Sequence, residues 1–193
     1  MLTSVKIIVH LAALLPLVWL YYGAINDTLG ADPVEYVIHF TGTGALNILL
    51  LTLALSPAAK FFKKPVLIKL RRLVGLWAFT YAIFHLLNFI FFELQFDWRL
   101  LVSEIVKRPY ITVGMMAFLI LSLLAFTSIN RIKRKMGKNW QQLHNWVYIA
   151  AIAVVIHFYW SIKSDIYQPA LYALILLWLL SLRRSRIKVW LFK

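Results

Sequence analysis

The sequence contains no cysteine among its 193 residues. Iron–sulfur clusters, disulfides and thiol chemistry all need cysteine sulfur, so the composition excludes them. The glycine patterns GxGxxG and GxxxxGK[ST] are also missing, and no motif therefore indicates a nucleotide site. Zinc-binding and nucleophile-elbow patterns are absent as well. Any redox function of the chain must therefore depend on a bound cofactor.

Acidic residues are few: seven Asp and Glu stand against 21 Lys and Arg, which gives a formal net charge of +14. A strongly basic chain is typical of nucleic-acid-binding proteins, but the positions of these charges favour another explanation. Basic residues concentrate at the N-terminus, in alternate loops and in the C-terminal tail, whereas all seven acids fall in the remaining loops. Because Lys and Arg accumulate on the cytoplasmic side of membrane proteins, the pattern predicts cytoplasmic termini and no nucleic-acid partner.

Apolar residues, in contrast, make up 62% of the chain, and its mean hydropathy is +0.77. Six windows are apolar and long enough to cross the roughly 30 Å hydrocarbon core of a bilayer. The sequence therefore predicts an all-α, multi-pass membrane helical bundle, forming one domain over residues 1–193. The first window lacks a small-residue cleavage site, so we expect it to be retained. The expected spans are 7–25, 37–56, 73–94, 111–128, 140–161 and 169–182.

Three histidines lie inside these windows, His85 in the third and His144 and His157 in the fifth. Ionisable residues at membrane depth are costly and usually functional, and imidazoles on facing helices are typical ligands of haem iron. The third and fifth windows run in the same direction. His85 and His157 both lie in their outer halves, so the sequence predicts that these two form a bis-histidine haem site. His144 lies near the cytoplasmic end, at a different depth.

A second haem at His144 is an open question at this stage. The positions at the matching depth of the third window are Arg71 and Arg72, and neither is a usual iron ligand. Arginine is suited to pair with haem propionates, although two arginines beside a span also satisfy the positive-inside rule. Thirteen residues of regular helix would leave His144 and His157 about 140° apart around the axis. Either the helix is irregular or the cofactors approach it from different sides.

Other features allow two interpretations each. His10 and His39 lie near the interfaces, where a histidine is ordinarily solvated or hydrogen-bonded. Gly42 and Gly44 favour close helix packing, or they make room for a flat macrocycle or a quinone. The basic segment 131–142 is either a docking patch for a soluble electron donor or a solvated turn.

Several segments resemble the MsrQ family, the haem-binding membrane subunits of methionine sulfoxide reductase systems, within the wider ferric reductase-like transmembrane group. The resemblance covers nearly the whole chain in the same order. It is carried by HFTGTGAL (39–46), RRLVGLWAFTYAIFHL (71–86), KRPYITVG (107–114), AFTS (125–128), GKNWQQLHNWVY (137–148) and IHFYW (156–160). In the wider group two helices each carry two histidines, whereas the third window here has only His85, with arginine in the other place.

The resemblance implies a location in the bacterial inner membrane, with haem b and FMN as cofactors. It also implies electron transfer from the quinone pool or a cytoplasmic flavin reductase. The acceptor that it implies is MsrP, a periplasmic molybdopterin enzyme that repairs oxidised proteins. The residues indicate haem ligands but no FMN site. No flavin domain follows the last window, so we expect an electron-transfer subunit of a heterodimer and not a catalytic one. Two alternatives stay open: a quinol or metal reductase with another outer partner, and a non-redox transporter or assembly factor.

Overall fold

A computed structural model describes residues 2–162 and 166–191 of the chain. Asp165 and Lys193, which belong to the charge pattern above, lie outside these residues. The described part of the chain is helical throughout, as expected for an all-α protein. It divides into two compact units, Met1–Leu101 and Val102–Lys193. The single domain expected from the sequence stays a prediction.

The first unit is built on a pair of packed helices, α2 (Pro33–Phe61) and α3 (Val66–Asn88). The preceding helix, α1 (Leu2–Ile25), contacts both of them. Pro33 opens α2, and the Asp32 side chain accepts a 2.9 Å hydrogen bond from the Glu35 N–H, so the helix start is capped. Leu46, Leu53 and Ala78 are almost fully buried where α2 and α3 pack together. A π-helical turn (Phe89–Glu93) continues α3, and the amphipathic helix α4 (Trp98–Lys107) follows.

The second unit repeats this arrangement with α5 (Pro109–Thr127) packed against α8 (Val147–Ser161). Ala150 and Ala151 have no exposed surface, and such small side chains allow close approach of neighbouring helices. Two short helices, α6 (Asn130–Met136) and α7 (Lys138–His144), connect the pair. They meet at Gly137, whose φ of +55° is unfavourable for residues with a side chain. The unit continues with α9 (Tyr167–Ser181) and α10 (Arg184–Leu191).

Five helices of the described chain are long and apolar enough to cross a bilayer, which confirms a multi-pass membrane protein. They are Leu2–Ile25, Pro33–Phe61, Val66–Glu93, Pro109–Thr127 and Lys138–Ser161. The sixth expected span corresponds to α9, which has 15 residues. At ~1.5 Å per residue this helix is shorter than the roughly 30 Å hydrocarbon core. The sixth span and the cytoplasmic location of both termini stay predictions.

One detail of the expected organisation was wrong. The loop between the second and third spans was expected to contain Arg71 and Arg72, but α3 begins at Val66, so both arginines are helical. Lysine and arginine are good helix formers, and their long stems reach from a helix towards water. The fifth span, Lys138–Ser161, is irregular, which is one of the two alternatives left open: α7 ends at His144 and α8 begins at Val147. This break means that the angle calculated for a regular helix does not apply to His144 and His157.

Candidate functional site

His85 is held against the backbone of α2 in the first unit. Its Nδ1 lies 3.0 Å from the Ile38 carbonyl oxygen. A carbonyl only accepts hydrogen bonds, so Nδ1 carries the proton, and the lone pair of the neutral ring resides on Nε2. The ring also packs on Gly42, where an added Cβ would lie 3.0 Å from both Nδ1 and Cε1. The glycine therefore allows the imidazole to approach the helix closely enough to bond with its backbone.

His157 has the same environment in the second unit. Its Nδ1 lies 2.7 Å from the Tyr110 carbonyl oxygen, which again assigns the proton to Nδ1 and the lone pair to Nε2. The ring packs on Gly114, where an added Cβ would lie only 2.7 Å from Nδ1 and 2.8 Å from Cε1. The Tyr110 ring lies beside the imidazole, with 5.9 Å between ring centroids.

These two environments correspond residue by residue. In each unit the histidine follows the residue that supplies its carbonyl by 47 positions, and the glycine lies four residues after that carbonyl. The residue numbers of the two units differ by a constant 72, as from His85 to His157. The buried residues Ala78 and Ala150 obey the same offset. The two helical pairs therefore form an internal repeat, each copy of which presents one histidine with a fixed tautomer.

The repeat also aligns His144 with Arg72, since these two positions differ by the same 72 residues. The setting of His144 is unlike that of the other two histidines. Its Nε2 lies 3.1 Å from Thr127 Oγ1, and its ring stacks on Trp140 with centroids 3.9 Å apart. Thr127 Oγ1 already donates to the Leu123 carbonyl at 2.7 Å, so it accepts from His144 Nε2–H. In this arrangement Nδ1 holds the lone pair.

The remaining candidate residues have the following surroundings. Arg71 is half-buried and Arg72 is exposed in the first turns of α3. His10 accepts a 3.2 Å hydrogen bond at Nδ1 from Trp77 Nε1–H, in agreement with the hydrogen-bonded alternative for this residue. His39 Nε2 lies 3.9 Å from a Glu35 carboxylate oxygen. Gly44 packs on Tyr81, and an added Cβ would lie 2.5 Å from that ring, so both Gly42 and Gly44 allow close packing.

The sequence analysis missed the role of Gly114 and of the Ile38 and Tyr110 carbonyls. A signal for the glycine was present, because a glycine precedes both His85 and His157 by the same 43 residues. The backbone carbonyls carry no sequence signal, since any residue supplies one. Only the packing of α3 on α2, and of α8 on α5, reveals which carbonyl each imidazole reaches.

The donor chemistry of these histidines fits haem iron. Metal-bound histidines ordinarily donate the other ring N–H to a carbonyl or carboxylate, which fixes the tautomer and orients the ring. His85 and His157 both have this arrangement with a backbone carbonyl. In the described ranges, 2–162 and 166–191, no group of three or more His, Cys, Asp or Glu gathers to hold a metal ion. Single imidazoles suit a metal whose other ligands come from a macrocycle.

Comparison with known proteins gives two consistent matches. The family described as "Ferric reductase like transmembrane component" matches residues 12–155. A relative from Cronobacter sakazakii, described as "Protein-methionine-sulfoxide reductase heme-binding subunit MsrQ", is 46% identical over 189 residues. That alignment covers 97% of this chain and 94% of the relative.

Proposed function

Because the chain belongs to the ferric reductase-like transmembrane component family, we propose that it binds haem b as the electron-transfer subunit of a methionine sulfoxide reductase. His85 and His157 would hold the haem iron through Nε2. The match to a relative described as an MsrQ haem-binding subunit, which covers 94% of that relative, supports haem binding and the methionine sulfoxide reductase system. The subunit carries electrons, while a partner performs the reduction of the sulfoxide.

The observation that supports the proposal most strongly is that both copies of the repeat hold an imidazole in the same way. We call this arrangement, a histidine bonded to a backbone carbonyl and packed on a glycine, the imidazole seat. It consists of Ile38, Gly42 and His85 in one unit and of Tyr110, Gly114 and His157 in the other. A buried histidine with a purely structural role needs only a hydrogen-bond partner, and it has no reason to repeat the same glycine and the same tautomer. Both seats present a neutral ring whose Nδ1–H is fixed by a carbonyl, at 3.0 Å for His85 and 2.7 Å for His157. Ligation to iron accounts for this shared requirement.

The residues of each seat have separable tasks. The carbonyls of Ile38 and Tyr110 hold the proton on Nδ1 and so leave Nε2 as the ligand atom. The glycines set the distance of the ring from the helix backbone. Ala78, two turns before His85, and Phe158, the residue after His157, are both buried. Haem, when bound, supplies the one-electron carrier that the side chains of the chain cannot provide.

A second haem near the cytoplasmic face is a further part of the proposal. His144 is its candidate ligand, through Nδ1 in the present arrangement or through Nε2 after its bond to Thr127 is released. Arg72 occupies the equivalent position of the other repeat, and we propose that Arg72 or Arg71 pairs with haem propionates. Guanidinium groups bind carboxylates through two parallel hydrogen bonds, which suits this role.

The partners follow from the same family relationship. We propose that the chain lies in the bacterial inner membrane and forms a heterodimer with a periplasmic molybdopterin subunit, MsrP. Its electrons come from the quinone pool or from a cytoplasmic flavin reductase, for which the basic segment 131–142 is the candidate docking surface. FMN, which the resemblance implies, stays a prediction, and its direct test is flavin fluorescence after acid extraction of the purified protein.

Reoxidation of the reduced cofactor by the partner tests the proposed function. The purified protein is reduced anaerobically with dithionite, excess reductant is removed, and the visible haem spectrum is followed after addition of MsrP and methionine sulfoxide. We expect rapid reoxidation that requires both additions. A spectrum that stays reduced with active MsrP and sulfoxide, but reoxidises with ferric chelates, would favour a metal reductase of the same fold. A colourless protein from haem-replete cells would favour a non-redox function.

A further inference from the structure

The first unit contains a cavity of about 380 Å³ among α1, α2 and α3. This volume falls within the range of small-molecule sites, roughly 300–1,000 Å³. The cavity lies at mid-helix, because its walls include Val9 to Pro16 of α1 and Phe40 to Leu51 of α2. It exists because the facing residues are small. Ala12 and Ala13 of α1 and Gly44 of α2 all line it, and α1 is otherwise mostly exposed along its length.

The wall of the cavity is apolar and aromatic, and it carries few polar groups. Phe40, Trp77 and Tyr81 contribute rings, while Thr43 and Asn47 contribute polar side chains one turn apart on α2. None of its lining residues is Lys, Arg, Asp or Glu. A phosphate-bearing ligand such as a flavin nucleotide needs cationic or backbone N–H partners, so this wall suits a neutral molecule.

Hydrogen-bonding groups of both kinds lie in or beside this wall. The Asn47 amide provides N–H donors. His10, bonded to Trp77 beside the cavity, accepts at Nδ1 and therefore carries its neutral-state proton on Nε2. Pro16 has no N–H to offer the Ala12 carbonyl, four residues earlier in α1, so the regular helical donor of that carbonyl is missing. A ligand with carbonyl or hydroxyl oxygens therefore has suitable partners, whereas a lipid acyl chain would use none of them.

We propose that this cavity binds the ring of a prenylated quinone or its quinol. Such a molecule is dissolved in the bilayer and carries no charge. Its flat ring suits aromatic walls, and its two oxygens suit a few well-placed donors and acceptors. The isoprenoid tail stays in the lipid beside α1, whose residue Ala12 is exposed at the cavity. The role of this site as the place of electron entry rests on the proposed function, but quinone binding does not.

The position of the cavity also separates it from the seat of His85. Gly44 faces the cavity, whereas Gly42 faces His85, and two positions on a helix point about 200° apart. On α3, Tyr81 lines the cavity one turn before His85, about 6 Å along the axis. A bound quinone would therefore lie near His85 without occupying the space of its ring.

Photoaffinity labelling of the whole protein tests this site. The probe is an azido derivative of decylubiquinone, applied to protein in nanodiscs of quinone-free lipid, and labelled peptides are identified by mass spectrometry. We expect label on α1 and α3 around Ala12 and Trp77, displaced by unlabelled decylubiquinone but not by palmitate. Ala12→Phe, which fills the cavity from an exposed position, and Asn47→Leu, which removes its amide, should each lower labelling at least tenfold.

Leu11→Phe is the matched control, because Leu11 is exposed on the same helix and does not line the cavity. It should label like the unchanged protein. Equal labelling of all these proteins, label spread over every lipid-facing helix, or displacement by palmitate would overturn the proposal. Haem content measured on the same samples separates the two claims. Saturable labelling of a protein that binds no haem would leave the quinone site intact while refuting the proposed function.

Discussion

Replacement of Gly114 by alanine tests the geometry of the His157 seat. The new Cβ would lie 2.7 Å from His157 Nδ1 and 2.8 Å from Cε1. Carbon atoms in ordinary contact are ~3.5–4.0 Å apart, so the ring must move away by most of an ångström. This movement stretches the 2.7 Å bond from Nδ1–H to the Tyr110 carbonyl. The substitution therefore perturbs the distance and the orientation of the ligand together.

Gly114→Ala changes the stability of the folded protein through three effects. Alanine gains about 1 kcal/mol over glycine in helix propensity. Overpacking costs about 1–3 kcal/mol, and a weakened hydrogen bond about 0.5–1.5 kcal/mol. The net destabilisation of the protein is therefore modest. Loss of the group that orients a metal-bound histidine typically lowers metal affinity by about 10–100-fold. We expect haem binding to suffer far more than folding.

The assay is haem per polypeptide by pyridine haemochrome, together with the low-spin signal in electron paramagnetic resonance. Gly114→Ala should lose most of the haem held by His85 and His157, or show a clearly altered low-spin signal. Gly42→Ala, with a Cβ at 3.0 Å from the His85 ring, should show a smaller effect. Gly75→Ala is the control, because its Cβ would meet only Thr52 at 3.5 Å, an ordinary contact. Full haem content and an unchanged signal in Gly114→Ala would refute the reasoning.

Three further predictions concern other parts of the chain. His144→Ala should keep the haem held by His85 and His157; a fall from near two haems per chain to one would support the inner site, and an unchanged ratio would contradict it. Asn88→Ala removes the acceptor of the 2.9 Å bond from Tyr21 O–H and should cost about 1–3 kcal/mol in thermal unfolding, whereas the exposed Asn26→Ala should cost almost nothing. Fluorescent-protein and alkaline-phosphatase fusions to the C-terminus should report a cytoplasmic location, and active phosphatase there would disprove the assigned orientation.

The membrane helices and the candidate ligands were predictable because they depend on composition and periodicity. Apolar runs of bilayer length give the helices, and the placement of His85 and His157 within them gives the candidate ligands. Helix ends were less predictable. Their charges placed Arg71 and Arg72 in a loop when the span was predicted from the sequence. Both lie in α3, because the long apolar stem of arginine lets it extend a helix while its charged end reaches water. The break after His144 has no strong sequence signal, since neither glycine nor proline lies between α7 and α8.

The seats of the ligands depend on contacts between helices that are distant in sequence. The His85 ring meets a carbonyl 47 residues earlier, and no local pattern specifies that pairing. The internal repeat reveals the equivalence of the two seats, but only a small set of residues, such as Gly42 with Gly114, is identical in both copies. The cavity beside α1 is similarly unpredictable, because it results from small residues on three helices facing one another.

The most direct test of the central claim is the haem content of His85→Ala and His157→Ala, measured beside His10→Ala and His39→Ala. We expect the first two proteins to fold and insert but to lose the haem held by His85 and His157, together with its low-spin spectrum. The other two should match the unchanged protein, because His10 bonds to Trp77 and His39 lies near Glu35. Full haem content with an unchanged low-spin spectrum in either His85→Ala or His157→Ala would contradict the assigned ligands.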